Sequence, residues 1–335
     1  MKIAPAQAVD DQSVILAQAL LTDRAGYLVR RAHQVSAALF SQHRARADLT
    51  PGQFETLAMI DASPRSDQIT LARLLGIDRS TTTVIIDGLA RRGLLERKVE
   101  TDRRRRLLDL TEEASDVLRA AQKRARATEQ TMIAPLGPAV AEELRGMLKV
   151  IAADTTTPAP LWTQAFEGAA AACRPVGTEV DWLFNRFAFL TRRCSQIWNA
   201  CFMEATAGFD ITPGQYAALY MVNAAGVADQ TTLVQGIGVD RTTAALLLRL
   251  LESRGLTHSS VPAQDRRRRI FQATPAGREL LVELEPHDAK ADRWLLSRLT
   301  DSEACRLRAA MTALLDAHER TVATSKGAWR HANAR

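Results

Sequence analysis

The chain has 335 residues, 46% of them hydrophobic and 24% charged, with a formal net charge of +6. That length admits two domains, and the mixture is globular rather than disordered or fibrous; its basic balance suits an acidic partner such as nucleic acid. There is no apolar run of about 18 residues to cross a membrane, and the start MKIAPAQAVDDQ lacks the basic and apolar regions of a secretory signal, which predicts a cytoplasmic protein.

The first predicted element is a long amphipathic helix over about residues 13–46. TPGQ at Thr50–Gln53 is a capping box with proline at the first helical position, so a second helix starts there. A short helix follows from Asp67 to Leu75, with Gly76 after its end. Asp78 caps the next, Arg79 to Arg92, which Gly93 stops and whose apolar stripe is Ile85, Ile86 and Leu89. Beyond the glycine the period changes from helical to alternating: Leu95, Arg97, Val99, then Arg103 to Arg106, then Leu108 and Leu110. That pattern is a two-stranded hairpin with four arginines at or near its tip. Two more helices, about 112–131 and 139–153, complete the segment.

From Ile211 the sequence is written again. ITPGQYAALYMVNAAG repeats LTPGQFETLAMIDASP at an offset of 162, and about 19 positions agree by Leu256. The offset also holds upstream, where Leu28, Arg30, Arg31, Gln34 and Phe40 match Leu190, Arg192, Arg193, Gln196 and Phe202. One inserted residue makes it 163 at Arg266 to Arg269, which match Arg103 to Arg106. The second copy therefore predicts a long helix at about 179–207, a capped helix Arg241–Arg254 behind Asp240 with the stripe Leu247, Leu248 and Leu251, a hairpin, and closing helices at about 275–292 and 301–323. A period this long is a whole domain rather than a solenoid repeat. The boundaries are 1–154 for the first copy, 155–178 for a linker and 179–335 for the second. Prolines stand at both ends of the linker; Leu161, Trp162 and Phe166 in its middle suit a short packed helix as well as a tether.

Helix, short helix, capped helix and hairpin make a winged helix-turn-helix. With long helices at both ends and DRR followed by LxLT, LARLLGIDRSTTTVIIDGLARRGLLERKVETDRRRRLLDLTEEA and its weaker second copy resemble the MarR family of bacterial transcription regulators. The resemblance implies a mainly α fold with small β-wings, in two tandem repeats forming a pseudo-dimer within one monomer, where family members are normally homodimers with interlocked terminal helices. It implies double-stranded DNA with a pseudo-palindromic operator as the partner. Arginines at a wing tip neutralise phosphates or enter a narrow minor groove. By resemblance Arg104 and Arg267 are the groove residues, with Arg103, Arg105, Arg266 and Arg268 among the DNA-binding candidates; alternation cannot turn four successive side chains to one face, so some of Arg103, Arg105 and Arg106 reach phosphates or acids of their own domain. The capped helix is the major-groove reader: Arg79, Ser80, Thr81 and Thr83 in copy one, Arg241, Thr242 and Thr243 in copy two, with Asp87 replaced by Arg249. That change means either different half-site preferences or drift at solvent positions.

MarR-like proteins often bind a small aromatic or phenolic acid beside the first long helix, which makes such an acid the expected effector. Arg30 and Arg31, with Tyr27, His33, Arg192, Arg193 and Trp198, are the candidates, since a guanidinium holds a carboxylate bidentately. Ion pairs between interlocked helices explain the same arginines. Cys173, Cys194, Cys201 and Cys305 form no CxxC pair, and the histidines no metal spacing. The cysteines read as small buried residues, with redox sensing through Cys194 or Cys201 as the alternative. No metal, no cofactor and no nucleophile–base set is indicated, so an enzyme is not expected. The sequence predicts a repressor released by a small molecule, against a redox-sensing regulator or an interaction protein that has lost DNA binding.

Overall fold

The computed structural model describes residues 21–42, 49–64, 66–77, 79–99, 106–153, 178–262 and 268–325. The linker, both hairpin tips and the Asp78 cap lie outside the described residues. Two compact units are present. One joins Met1–Arg31 to Trp198–Ser297; the other joins Ala32–Ile197 to Arg298–Arg335. The fold is mainly helical with small antiparallel sheets.

The unit holding the first winged segment contains most of α1 (Ala25–Gln42), then α2 (Pro51–Ala62), β1 (Ser66–Asp67), α3 (Gln68–Leu75), α4 (Arg79–Arg91), β2 (Leu95–Val99) and β3 (Arg106–Leu110). α5 (Glu112–Ile133), a 3-10 turn at Ala134–Leu136, α6 (Gly137–Ala152) and α7 (Thr178–Asn185) follow. Its core gathers Phe54, Leu57, Ile60, Leu71, Leu74, Ile86, Leu89 and Leu118, so the apolar stripes of α2, α3 and α4 turn toward one centre. The strand order is β1-β3-β2, with Leu95 opposite Leu110 and Ser66 opposite Leu108.

The other unit takes the end of α8 (Phe187–Ala205), then α9 (Pro213–Ala224), α10 (Gln230–Ile237), α11 (Arg241–Ser253), β4 (Thr257–Ser260), β5 (Ile270–Ala273) and α12 (Pro275–Leu295). α13 (Asp301–Ser325) belongs with the first winged segment. The third strand is reduced here to one bridge, Ala228 to Phe271, at the positions aligned with Ser66 and Leu108.

The local signals act as the sequence predicts. Thr50 and Gln53 cap each other's backbone at 3.2 and 3.0 Å, and Thr212 and Gln215 do so at 3.2 and 2.9 Å. Gly93 and Gly255 both take φ of +70°, which lets the chain leave α4 and α11 without a Cβ clash. The two long helices differ from the expectation. Residues 21–23 form a turn ahead of the helix that begins at Ala25, and the second long helix bends at Arg186 and restarts at Phe187; residues 13–20 and 43–46 of the first predicted helix lie outside the described residues. The cause is a buried carboxylate at each start. Asp292 accepts the N–H groups of Ala25 and Gly26 at 2.8 and 3.0 Å, and Glu129 accepts that of Phe187 at 2.9 and 3.1 Å. An anion satisfies the open donors of a helix N-terminus and its dipole, so the helix begins where the acid sits.

Candidate nucleic-acid interface

In each unit the candidate reading helix presents an open first turn. Arg79, Ser80 and Thr81 are exposed on α4, and Arg241 and Thr242 on α11. Thr82 and Ala244 point inward and are buried. Thr83, expected to face outward, is half-buried: its hydroxyl donates to the carbonyl of Arg79 at 2.8 Å and accepts from Gln68 Nε2 at 2.5 Å, which ties α4 to α3. Thr243 is engaged too. Its N–H and hydroxyl reach the two oxygens of Asp240 at 2.9 and 2.7 Å, and these bonds hold the Asp240 carboxyl below the usual range.

Two side chains that the sequence reading passed over stand on the open faces. Val84 is 68% exposed and its aligned partner Leu246 is 49% exposed. The usable signal was an apolar residue kept at one offset outside both buried stripes, and such a residue can meet a thymine methyl.

The wings are braced to the reading helices differently. In the first, Arg97 of β2 pairs with Asp87 of α4. In the second, Arg269 holds Glu252 of α11 at 2.9 Å and Ser259 at 2.8 Å, and the Ser259 hydroxyl reaches Glu252 at 2.5 Å. The Ser259 hydroxyl, with Arg269 beside it, holds the Glu252 carboxyl below its ordinary range. Arg268 pairs with Asp229 at 2.6 Å, so part of the second arginine run serves its own domain. Arg249, aligned with Asp87, is exposed. Arg103, Arg104, Arg105, Arg266 and Arg267 lie outside the described residues. Both wings end in one clasp: Thr111 donates its hydroxyl to the carbonyl of Gly93 at 2.8 Å, and Thr274 to that of Gly255 at 2.7 Å.

The candidate effector residues divide between the units. In one, the Tyr27 hydroxyl donates to the carbonyl of Gly236 at 3.0 Å, Trp198 donates to Asp292 at 2.8 Å, and Arg31 is buried. Arg30 Nε there is closed off from solvent without a hydrogen-bond partner. In the other, Arg192 binds Glu55 at 2.8 Å and the carbonyl of Leu75 at 2.7 Å. Burial pulls Arg193 down to about 10. His33 falls to about 4, through burial first and then the positive charge of Arg192. Cys194 and Cys201 are buried, and burial lifts the Cys194 thiol to about 12. Among the described residues no helix is long and apolar enough to cross a membrane.

The model of the MarR family matches residues 47–105. The HTH-type transcriptional repressor NicR of Pseudomonas putida is 32% identical over 101 residues, 30% of this chain and 64% of NicR, so the chain spans less than two thirds of that curated relative. The transcriptional regulator HosA of Escherichia coli O157:H7 is 30% identical over 94 residues, 28% of this chain and 70% of HosA. Among solved structures, the transcriptional repressor CouR bound to a 23-mer DNA duplex is similar at 34% identity and a TM-score of 0.38, over 39% of this chain and 94% of that one.

Proposed function

Since the chain belongs to the MarR family, we propose that it is a sequence-specific regulator of transcription that binds duplex DNA, a repressor released by a small aromatic or phenolic acid. One chain reads both half-sites of a pseudo-palindromic operator. The observation that carries this reading is a reading helix with an exposed polar first turn, Arg79 to Thr81 and Arg241 to Thr242, followed by an arginine-bearing hairpin, in each compact unit. NicR, a transcriptional repressor by name, is 32% identical over 101 residues. Val84 and Leu246 add an apolar contact for thymine on each reading helix.

The pseudo-dimer reading is supported by the way the units are assembled. The winged segment of the second half is completed by the start of α1, through Ala25 and Asp292, and that of the first half by the start of α8, through Phe187 and Glu129. Ala25 aligns with Phe187 and Asp292 with Glu129, so one exchange is made twice. A footprint on the DNA next to the gene, combined with stoichiometry by analytical ultracentrifugation, tests it. The expected result is two protected half-sites about one helical turn apart under one chain. One half-site per chain, or two chains per site, sinks the fused reading. The redox alternative loses ground because a thiol raised to about 12 holds almost no thiolate at neutral pH.

A further inference from the structure

We propose that the cleft at the foot of the second wing binds a small phosphate dianion, free or as the ester of a small alcohol, with Arg278, His258, Gln272 and Asn223 as its donors. The proposal stands apart from both the DNA reading and the effector reading above.

The cleft has a volume of about 240 Å³ and lies between the end of α9, one face of the β4–β5 hairpin and the start of α12. Each of these elements delivers donors to it. His258 and Gln272 stand directly opposite each other across the two strands, so their side chains leave the sheet on one face. Asn223 comes from the last turn of α9, and Arg278 from the beginning of α12. Arg278 gives Nη1 to the carbonyl of Ala273 at 2.7 Å, which holds the guanidinium beside β5, and it pairs with no carboxylate among the described residues. Thr274 lines the cleft too, but its hydroxyl is spent on the Gly255 carbonyl and the Gly277 N–H, at 2.7 and 3.1 Å. A guanidinium, an imidazole and two amides make a donor-rich wall, with no carboxylate among the described residues that line it. Such a wall suits the three acceptor oxygens of a phosphate ester better than the two of a carboxylate. The volume lies below the roughly 300–1,000 Å³ of drug-sized pockets, which limits the occupant to a small molecule.

The aligned surface of the first segment carries the opposite charge. Asp61, Glu96, Asp109 and Glu112 stand where Asn223, His258, Gln272 and Pro275 do, and Ser115 stands where Arg278 does. Glu96 and Asp109 are themselves opposite each other across β2 and β3, at the register of His258 and Gln272. Two acids so placed repel each other and repel an anion. In the second segment all four acids are replaced by side chains without negative charge, and the fifth position adds a guanidinium. The five changes fall on one cleft, and they all move its charge in one direction.

Isothermal titration of the full chain, without DNA and in phosphate-free buffer, tests this with inorganic phosphate, glycerol 3-phosphate and glycerol. One equivalent of phosphate or of its ester should bind, and no glycerol. Tighter uptake of glycerol 3-phosphate supports an ester as the occupant, and tighter uptake of inorganic phosphate supports the free anion. Gln272→Asp and Arg278→Ser each introduce the residue that the first segment carries at that position. Each should weaken uptake about ten-fold or more while circular dichroism reports a folded chain. No uptake of either anion, equal uptake of glycerol, or undiminished uptake in either folded variant overturns the proposal. So does uptake that Arg241→Ala removes and Arg278→Ser leaves intact, because the anion then sits on the reading helix. If one of the two cleft variants does not fold, the other decides.

Discussion

Asp292 holds three donors at once: the backbone of Ala25 at 2.8 Å, that of Gly26 at 3.0 Å and the indole of Trp198 at 2.8 Å. Trp198 lies so close to Gly26 that a Cβ there would fall 2.1 Å from its ring, so this glycine is required by the contact. Removing the carboxylate strands three buried donors, each costing about 1–3 kcal/mol. Asp292→Ala should therefore lower stability by about 3 kcal/mol or more in urea denaturation, an effect that a surface acid such as Asp301 does not show. His33 gives a second test. Its folded pKa of about 4 lies below the ordinary 6.5, because of burial and then Arg192, with Glu55 opposing. The unfolded chain takes the proton first as pH falls, so stability is intact above about pH 6.5 and drains away between about 6.5 and 4. The loss is on the order of 2–3 kcal/mol from this group. His33→Gln should flatten that part of the pH–stability curve. A curve with the same slope in both proteins contradicts the assignment.

Among the elements, the wing is fixed at its base by a cap that does two jobs. Thr111 and Thr274 cap α5 and α12 through Ala114 N at 3.2 Å and Gly277 N at 3.1 Å, and their hydroxyls also close onto the glycine that ends the reading helix. Thr274→Ala should cost about 1–2 kcal/mol in thermal or urea unfolding, as loss of a helix cap does. At the tips, Arg104→Ala and Arg267→Ala should each weaken operator binding by about 1–3 kcal/mol in gel-shift titrations, more than Arg330→Ala. The caps, stripes and hairpins were legible because each is a short-range signal: TPGQ is its own capping box, and Gly93 ends α4 wherever it lies. The start of α1 was not legible. Nothing near Ala25 in sequence announces the turn at residues 21–23 before it; the acid at that helix start is Asp292, 267 residues away. The partners of Thr83 were hidden for a similar reason. Its helical position points outward, but Gln68 of a neighbouring helix claims the hydroxyl.

For the whole molecule, aligned positions of the two hairpin-bearing segments carry different charges. Asp87 of α4 neutralises Arg97, whereas the aligned Arg249 of α11 stands exposed. The side chains of the Arg97–Asp87 pair are 38% and 47% exposed, so it adds little stability. Its effect is on local charge. Arg249→Ala should reduce the slope of log affinity against log salt by about one unit, and Asp87→Ala should steepen it by freeing Arg97. Equal slopes in wild type and both variants contradict this. The long reach of the Ala25–Asp292 contact also has a consequence for synthesis. Residue 25 leaves the ribosome with its helix start unsatisfied and waits for residue 292. At about 5–20 residues per second, the 267 intervening residues take about 13–53 s to make. During that interval the donors of Ala25 and Gly26 and the Trp198 side chain lack the acid that later joins them. A chain stopped short of Asp292 never acquires it, and the helix start at Ala25 then stays without its acid.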